Sequence, residues 1–256
     1  TYTRPSAWIG SLLLVTCAWL TAAPSARADL RDDALDAARR ATNFYWKTVS
    51  TEGGYLWRYS ADLKLREGEG KANATTAWVQ PPGTPAMGEA FTRLYEATGD
   101  PLFRDAALAA ADVLRRGQLR SGGWNEGIDL DPAGRAKQAY RIDPPSKKKR
   151  NYSSLDDDRT QASLRFLIRL DRALNFEHEA VHEMTLFALV GLLGGQCADG
   201  AFPQVWSEPQ DPVGHAPKKA SFPDEWSRTY QGHQNYWYRY TLNDNLMPDV
   251  IAALFL

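Results

Sequence analysis

The chain repeats one unit three times, and this internal repeat constrains its fold more than any other feature of the sequence. Each repeat runs from a segment with helical periodicity to a Gly-rich turn that carries an aromatic residue, and then through an irregular polar stretch to a second helical segment. In the last two repeats a glutamine, Gln118 or Gln196, stands four residues before the turn. The three turns are Gly53-Gly54-Tyr55, Gly122-Gly123-Trp124 and Gly200-Ala201-Phe202.

The helical segments of the three repeats form pairs. Apolar periodicity predicts the first helix of each pair at 32–49, 101–116 and 180–193, and the second at 85–98, at 160–174 and from 246 onward. Short strands are predicted directly after two of the turns, at 55–59 and 202–206. The pattern predicts a mostly α fold, an α/α toroid of repeated helix pairs with short strands in the loops.

Acidic and amide side chains precede the second helix of the last two repeats. These two start segments are Leu155-Asp156-Asp157-Asp158 and Leu242-Asn243-Asp244-Asn245. Asp and Asn are favoured before a helix because their oxygens accept hydrogen bonds from its free N–H groups. One aspartate is enough for that purpose, whereas three adjacent carboxylates repel one another unless a cation lies among them. Calcium takes carboxylate and amide oxygens as ligands, so the two segments together predict a cation site.

The first 28 residues have the order of a secretory signal peptide. A short polar start with Arg4 leads into an apolar stretch at 9–23 and then into Ala26-Arg27-Ala28. We therefore predict a secreted or periplasmic protein whose mature domain is 29–256, with no membrane span after the signal is cleaved. Cys17 would leave with the signal, and Cys197 alone cannot form an intramolecular disulfide.

Charge and motifs argue against several functional classes. A formal net charge of −1 argues against nucleic acid as a partner, and the basic run at 147–150 is best interpreted as a solvated loop. His178-Glu179-Ala180-Val181-His182 resembles a zinc-protease motif, but no third ligand is evident in the sequence. The sequence contains no Gly-x-Ser-x-Gly elbow, so an acyl-transfer hydrolase has no support.

Two blocks in the second half of the chain carry a family resemblance. The first runs from Ser154 to Gln161 and continues into a helical Leu164-Arg165-Phe166-Leu167. The second combines Gly200-Ala201-Phe202-Pro203-Gln204 with Tyr240-Thr241-Leu242-Asn243-Asp244-Asn245. In order and content they resemble the Thr-Ile-Asp-Asn-x-x-Thr, Gly-Gly-Trp-Pro-Gln and Thr-Phe-Asn-Asp-x blocks of the pectate lyases of polysaccharide lyase family 10. The resemblance covers the chain from about residue 151 to its end.

The resemblance implies a fold, an activity and a set of site residues. Members of the family are α/α toroids that cleave polygalacturonate, an acidic polysaccharide, by β-elimination with calcium. Asp156 matches the first family aspartate and Asp244 the second, and Asp157 stands where the family often has asparagine. On this basis Asp156, Asp157 and Asp244 are the predicted Ca²⁺ ligands, and the same three residues with Asn243 are predicted to bind substrate.

The catalytic base is the part of the resemblance that this sequence does not supply directly. The family base is an arginine in an Ala-Arg-x-Tyr/Phe-Glu block that follows a further helix, whereas this sequence ends at Leu256. We therefore expect either a truncated chain or a base from elsewhere. Residues 54–59 with Asp62-Leu63 resemble the segment before the family arginine, and Arg66 lies near the matching spacing. Arg66 is the candidate catalytic base.

Two other functions fit the same residues. A glycoside hydrolase on an α/α toroid would use two carboxylates, for which Asp156 and Asp244 are available. A noncatalytic polysaccharide-binding protein would explain the missing arginine block. Formation of an unsaturated uronate distinguishes a lyase from both alternatives.

Overall fold

The computed structural model describes residues 23–209, 236–238 and 240–256. Within these ranges most of the regular structure is helical, and six short strands form three two-stranded antiparallel sheets. The helices are α1 (Ala23–Phe44), α2 (Thr84–Thr98), α3 (Pro101–Gly117), α4 (Pro132–Arg135), α5 (Arg159–Ala173), α6 (Glu179–Gly194) and α7 (Leu246–Leu254). The strands are β1 (Arg58–Tyr59), β2 (Arg66–Glu67), β3 (Thr76–Trp78), β4 (Gly127–Asp129), β5 (Ser153–Ser154) and β6 (Val205–Trp206).

The chain divides into two compact bodies, Thr1–Ala41 and Thr42–Leu256. In the first body, residues up to 22 of the predicted signal peptide lie outside the described residues, and α1 begins at Ala23. Among the described residues, no helix combines the length and the apolar character that a membrane crossing requires. The second body contains the Gly turns and both start segments.

The three Gly turns share one backbone conformation. Their first glycines, Gly53, Gly122 and Gly200, have φ of +97°, +103° and +93°, a region that glycine enters without steric cost. A Cβ at Gly53 would lie 2.5 Å from the carbonyl oxygen of Ala109 in α3, and one at Gly122 would lie 2.7 Å from the Cα of Gly191 in α6. Each of these two turns therefore packs directly against the first helix of the next repeat.

The aromatic residue of each turn joins the turn to the start of the second helix. In each repeat the carbonyl oxygen of this aromatic residue accepts a hydrogen bond from a backbone N–H in the segment that precedes the second helix. The pairs are Trp78 to Tyr55 (2.8 Å), Ser154 to Trp124 (2.8 Å) and Thr241 to Phe202 (3.3 Å). The glutamines before the turns act alike as well, because Gln118 and Gln196 each donate to the carbonyl of the left-handed glycine at 2.9 Å. The repeat is therefore a repeat of hydrogen bonds and not only of residue types.

Successive repeats are also joined by short strands. β3, before α2, pairs with β4 after the second turn, and β5, before α5, pairs with β6 after the third. The same backbone hydrogen bond follows each strand pair. The N–H of Val79 donates to the carbonyl oxygen of Glu126 at 2.8 Å, and the N–H of Leu155 donates to that of Gln204 at 2.7 Å. Strand β6 covers only the end of the predicted 202–206, and β1 only the end of 55–59, because the aromatic residues of the turns bond to the start segments instead.

The second helices lie side by side, with α5 packed between α2 and α7, and α3 and α6 pack on their neighbours. Phe166 of α5 is fully buried, and its ring occupies the space that a Cβ on Gly88 of α2 would need, at 2.4 Å. The prediction of a mostly α fold with short strands in the loops is confirmed. Closure of the helix pairs into a toroid stays a prediction.

Candidate functional site

The two start segments adopt the same unusual backbone. Asp157 and Asp158 have φ of +48° and +60°, and the equivalent Asp244 and Asn245 have +53° and +55°. Outside glycine, Asp and Asn are the residues that enter this left-handed region most readily. The acidic and amide composition of the segments therefore has a local cause, because each chain must turn through two left-handed residues before its helix begins.

This turn brings carboxylates from two repeats together. One carboxylate oxygen from each of Asp156, Asp157 and Asp244 lies within 4.8 Å of the other two. The negative charge of Asp244 contributes to the raised pKa of Asp156, and the amide of Asn243 donates to the carboxylate of Asp244. The structure thus brings together Asp156, Asp157, Asn243 and Asp244, the four residues predicted from the start segments. We call Asp156, Asp157 and Asp244 the acidic cluster.

Among the described residues, Arg159 places a positive charge against the acidic cluster. Its Nη2 is 3.2 Å from Oδ2 of Asp156 and 3.5 Å from Oδ2 of Asp157, and its side chain is only 11% exposed. Its Nη1 is 3.4 Å from the amide oxygen of Asn125, so the guanidinium is held from two sides. Three carboxylates and one guanidinium leave a formal charge of two negative, which a divalent cation would balance.

The pKa values of Asp156 and Asp157 are raised even though Arg159 lies beside both carboxylates. Burial raises the pKa of Asp156, Arg159 lowers it, and the negative charges of Asp157 and Asp244 raise it further, with a raised pKa as the net result. Burial likewise raises the pKa of Asp157, with Asp244 and Glu69 adding to the effect against Arg159. The site therefore favours an added positive charge, either a proton or a metal ion.

Two buried amides contact the cluster, one from each neighbouring repeat. Nε2 of Gln80 donates to Oδ2 of Asp157 at 3.0 Å, and Nε2 of Gln204 donates to Oδ1 of Asp156. The sequence analysis assigned no role to Gln80, Gln204 or Arg159. Arg159 follows Asp156 at helical spacing and Gln204 lies in a block with family resemblance, so both carried a signal. For Gln80 the sequence signal comes only from the repeat, because Gln80 occupies the position in the first repeat that Asp156 occupies in the second.

Asp158, the last of the three adjacent aspartates, has a different role. It forms an ion pair with Arg165 of α5, and Arg165 in turn lies 3.5 Å from the carbonyl oxygen of Asp249 in α7. Burial raises the pKa of Asp158, and the bond to Arg165 lowers it by less. Asp158 therefore ties the start segment to two helices and is not a member of the acidic cluster.

The geometry of the cluster fits a calcium ion. Calcium binds oxygen at about 2.3–2.6 Å, so two of its ligand oxygens can be up to roughly 5 Å apart. The spacing of at most 4.8 Å among the three oxygens lies within that limit, and carboxylates are the ligands that calcium prefers. Within the described ranges no other group of three or more His, Cys, Asp or Glu side chains has such spacing.

Arg66, the predicted base, has contacts outside the acidic cluster. Its Nη1 donates to Oγ1 of Thr51 at 3.0 Å and approaches the carbonyl oxygen of Ala74 at 3.4 Å, and its Nη2 lies 3.5 Å from that of Leu63. These bonds hold the loop around β2 in place. A catalytic role for Arg66 stays a prediction.

The two histidines of the His-Glu-Ala-Val-His motif have separate contacts. Nδ1 of His178 accepts a hydrogen bond from the N–H of Val181 at 3.4 Å, at the start of α6. Nδ1 of His182 lies 2.8 Å from the carboxylate of Asp171, which is buried. Both contacts are of the kind that holds a helix in place.

Comparison with known proteins gives a distant similarity of fold. No protein-family model matches the chain, and no curated protein does. Among solved structures, the chain is similar to a family 10 polysaccharide lyase from Cellvibrio cellulosa, with 17% identity and a TM-score of 0.41 over 73% of this chain and 57% of that chain. A mutant of a family 10 polysaccharide lyase from the same organism, in complex with trigalacturonic acid, is similar at 18% identity with the same TM-score and coverage. The chain spans 57% of the length of these structures.

Proposed function

We propose that this chain is a pectate lyase, which cleaves polygalacturonate by calcium-assisted β-elimination. The observation that carries the proposal is the convergence of Asp156, Asp157 and Asp244 from two repeats beside a buried arginine. The blocks that contain these aspartates are those that resemble the family 10 pectate lyases. The predicted signal peptide at 1–28 is in keeping with an exported enzyme that acts on plant polysaccharide.

An acidic site binds an acidic sugar only if a cation joins them. Asp156, Asp157 and Asp244 would hold the calcium, and Asn243 and Arg159 supply N–H donors at the same place. When bound, calcium supplies positive charge that attracts the C6 carboxylate of a uronate and stabilises the negative charge that develops on it. The role of these side chains is to bind and orient the uronate so that its C5 proton is accessible to a base.

β-Elimination then needs only a base and a leaving group. The base removes the proton from C5, the C5–H electron pair forms a C4=C5 double bond, and the glycosidic oxygen leaves C4 with its bonding electrons. Arg66 is the proposed base. An arginine is a poor base in water because it is ordinarily protonated, which makes this the most demanding part of the proposal.

The spacing of the carboxylates favours a lyase over a glycoside hydrolase. A retaining glycosidase holds its two carboxyl groups about 5–5.5 Å apart and an inverting one about 6.5–9.5 Å apart. One carboxylate oxygen of Asp156 lies within 4.8 Å of one of Asp244, which is below both ranges. Two carboxylate oxygens at this separation are suited to sharing a cation.

The function is tested by the product formed from polygalacturonate. We expect ultraviolet absorbance from a 4,5-unsaturated uronate when calcium is present, and none after chelation. Asp156→Asn and Asp244→Asn are expected to lose this product, while Asp112→Asn on α3, outside the cluster, retains it. Asparagine keeps the size of the side chain and tolerates a left-handed backbone, so the change is confined to charge.

Each alternative gives a different result in the same assay. New reducing ends without unsaturation would identify a glycoside hydrolase. Retention of the protein on polygalacturonate without any new chain ends would identify a noncatalytic binding protein.

A further inference from the structure

We propose that Gln80 and Gln204 are positioning residues that hold two carboxylates of the acidic cluster in place for a divalent cation. This inference rests on the proposed function, because it assigns the cation site its supporting side chains. Gln80 comes from the first repeat and Gln204 from the third, and they contact Asp157 and Asp156 of the second. The cluster therefore accepts one side-chain hydrogen bond from each of the two neighbouring repeats.

The orientation of the Gln80 amide is fixed by its surroundings. The side chain is buried, and its Oε1 accepts a hydrogen bond from Nε1 of Trp78 at 3.3 Å. An indole nitrogen is a donor only, so the amide oxygen must face Trp78 and the NH₂ group must face Asp157. The main chain is held as well, since Nε1 of Trp57 donates to the carbonyl oxygen of Gln80 at 2.9 Å.

Gln204 differs from Gln80 because one of its polar atoms has no partner. Its residue is 5% exposed, its Nε2 donates to Asp156, and its Oε1 is buried without a hydrogen-bond partner among the described residues. A buried carbonyl oxygen left unbonded destabilises the folded protein, and an apolar side chain of the same shape would avoid the loss. Among the described residues the amide therefore has one partner, the Asp156 carboxylate, whose orientation it fixes.

A neutral amide is suited to this task. Each N–H group fixes the orientation of a carboxylate and favours its ionised form, which is the form that binds metal. An arginine or lysine at the same place would do so by adding positive charge, which would oppose the cation. Outer partners of this kind typically change metal affinity by about 10–100-fold when they are removed.

The test measures calcium binding in the absence of polysaccharide. Isothermal titration calorimetry with CaCl₂ on chelator-treated protein compares the unchanged chain with Gln80→Met and Gln204→Met, which keep the length of the side chain and remove the amide. We expect Kd to rise about 10–100-fold in each variant. In the presence of chelator, Gln204→Met is expected to melt at the same temperature as the unchanged chain or higher, because the unbonded carbonyl is gone.

The matched control is Gln118→Met. Gln118 is buried like the other two, and its Oε1, like that of Gln204, has no partner among the described residues. Its Nε2 bonds to the carbonyl oxygens of Gly122 and Met184 at 2.9 and 3.0 Å and not to a carboxylate, so its loss leaves two carbonyl oxygens without this donor. We expect Gln118→Met to lower the melting temperature and to leave the Kd for calcium unchanged.

The failures of the two proposals are distinguishable. Calcium binding by the unchanged chain with the same Kd in both glutamine variants would overturn the positioning role and leave the proposed function standing. No calcium binding by the unchanged chain would overturn the cation site and the positioning role together. An equal rise in Kd for Gln118→Met would reduce the effect to general destabilisation and overturn the inference. A Gln204→Met chain that fails to fold would contradict the argument for Gln204.

Discussion

The segments that precede the second helix in the first and second repeats have the same framework and different chemistry. In both repeats the backbone N–H of the turn's aromatic residue donates a hydrogen bond to a threonine hydroxyl, from Tyr55 to Oγ1 of Thr84 at 3.0 Å and from Trp124 to Oγ1 of Thr160 at 3.1 Å. Between turn and helix, however, the first repeat has Gln80-Pro81-Pro82 and the second has Asp156-Asp157-Asp158.

This difference separates what the fold needs from what the site needs. The backbone and threonine bonds recur in both repeats and lie in the interior, so they are requirements of the helix-pair unit. The carboxylates of the acidic cluster belong to the second and third repeats, and the first repeat contributes a neutral donor, Gln80, at the position of Asp156. The third repeat contributes Asp244 and Gln204. The site thus lies where the three repeats meet, and each repeat contributes different side chains to it.

Arg66 is the residue most able to break this comparison, because it would give the first repeat a catalytic role. If Arg66 is the base, Arg66→Lys should lower the rate of unsaturated product formation by about 10²–10⁴-fold, the usual contribution of a positioned general base. The Kd for calcium should not change. Product formation at an undiminished rate would leave Arg66 only its structural bonds to Thr51, Leu63 and Ala74.

The next largest effect is expected from Asp244→Asn, compared with Asp158→Asn. Asp244 is a member of the acidic cluster, and its loss should weaken calcium binding by more than the roughly 10–100-fold that loss of an outer partner causes. Asp158 pairs with Arg165 instead, so its change should lower the melting temperature and leave the affinity for calcium within a factor of a few. Calorimetry and thermal melts of both variants check this contrast, and a reversal of the two results would place the site elsewhere.

Smaller effects, equal to each other, are expected from replacing the two threonines that accept these hydrogen bonds. Thr84→Val and Thr160→Val each remove the acceptor of a buried backbone N–H, so each should lower the free energy of unfolding by about 1–3 kcal/mol. Chemical denaturation of the two variants in chelator measures the two values. A large effect at one position and none at the other would contradict a shared framework.

The smallest effect concerns the dependence of stability on pH. The pKa values of Asp156 and Asp157 are raised in the folded chain, so the folded state binds more protons than the unfolded state between the ordinary carboxyl pKa and the raised value. Without metal, the free energy of unfolding should therefore fall as pH rises through that interval, and it should stay lower at higher pH. Asp157→Asn should flatten the profile and stabilise the chelated protein at neutral pH, as thermal melts across the interval would reveal. A variant less stable than the unchanged chain at neutral pH would contradict the repulsion inferred here.

Much of this arrangement could be predicted from the sequence because it is local or repeated. Helical periodicity predicted α2, α3, α5 and α6 to within about two residues. The likeness of the two start segments predicted that Asp156, Asp157 and Asp244 belong together, and they lie together. The functions assigned to these residues stay predictions.

The remainder depends on backbone geometry and long-range contact. No residue pattern shows that Asp158 turns away to Arg165 while its two neighbours join the cluster, because the left-handed pair at 157 and 158 decides it. Gln80 and Asp157 are 77 residues apart and meet only through packing of the repeats.

The most direct test of the central claim is a crystal structure of the chain grown with Ca²⁺ and measured for anomalous scattering. The account predicts one strong peak about 2.3–2.6 Å from carboxylate oxygens of Asp156, Asp157 and Asp244. A cluster without such a peak at saturating calcium, or a peak held by other residues, would contradict it.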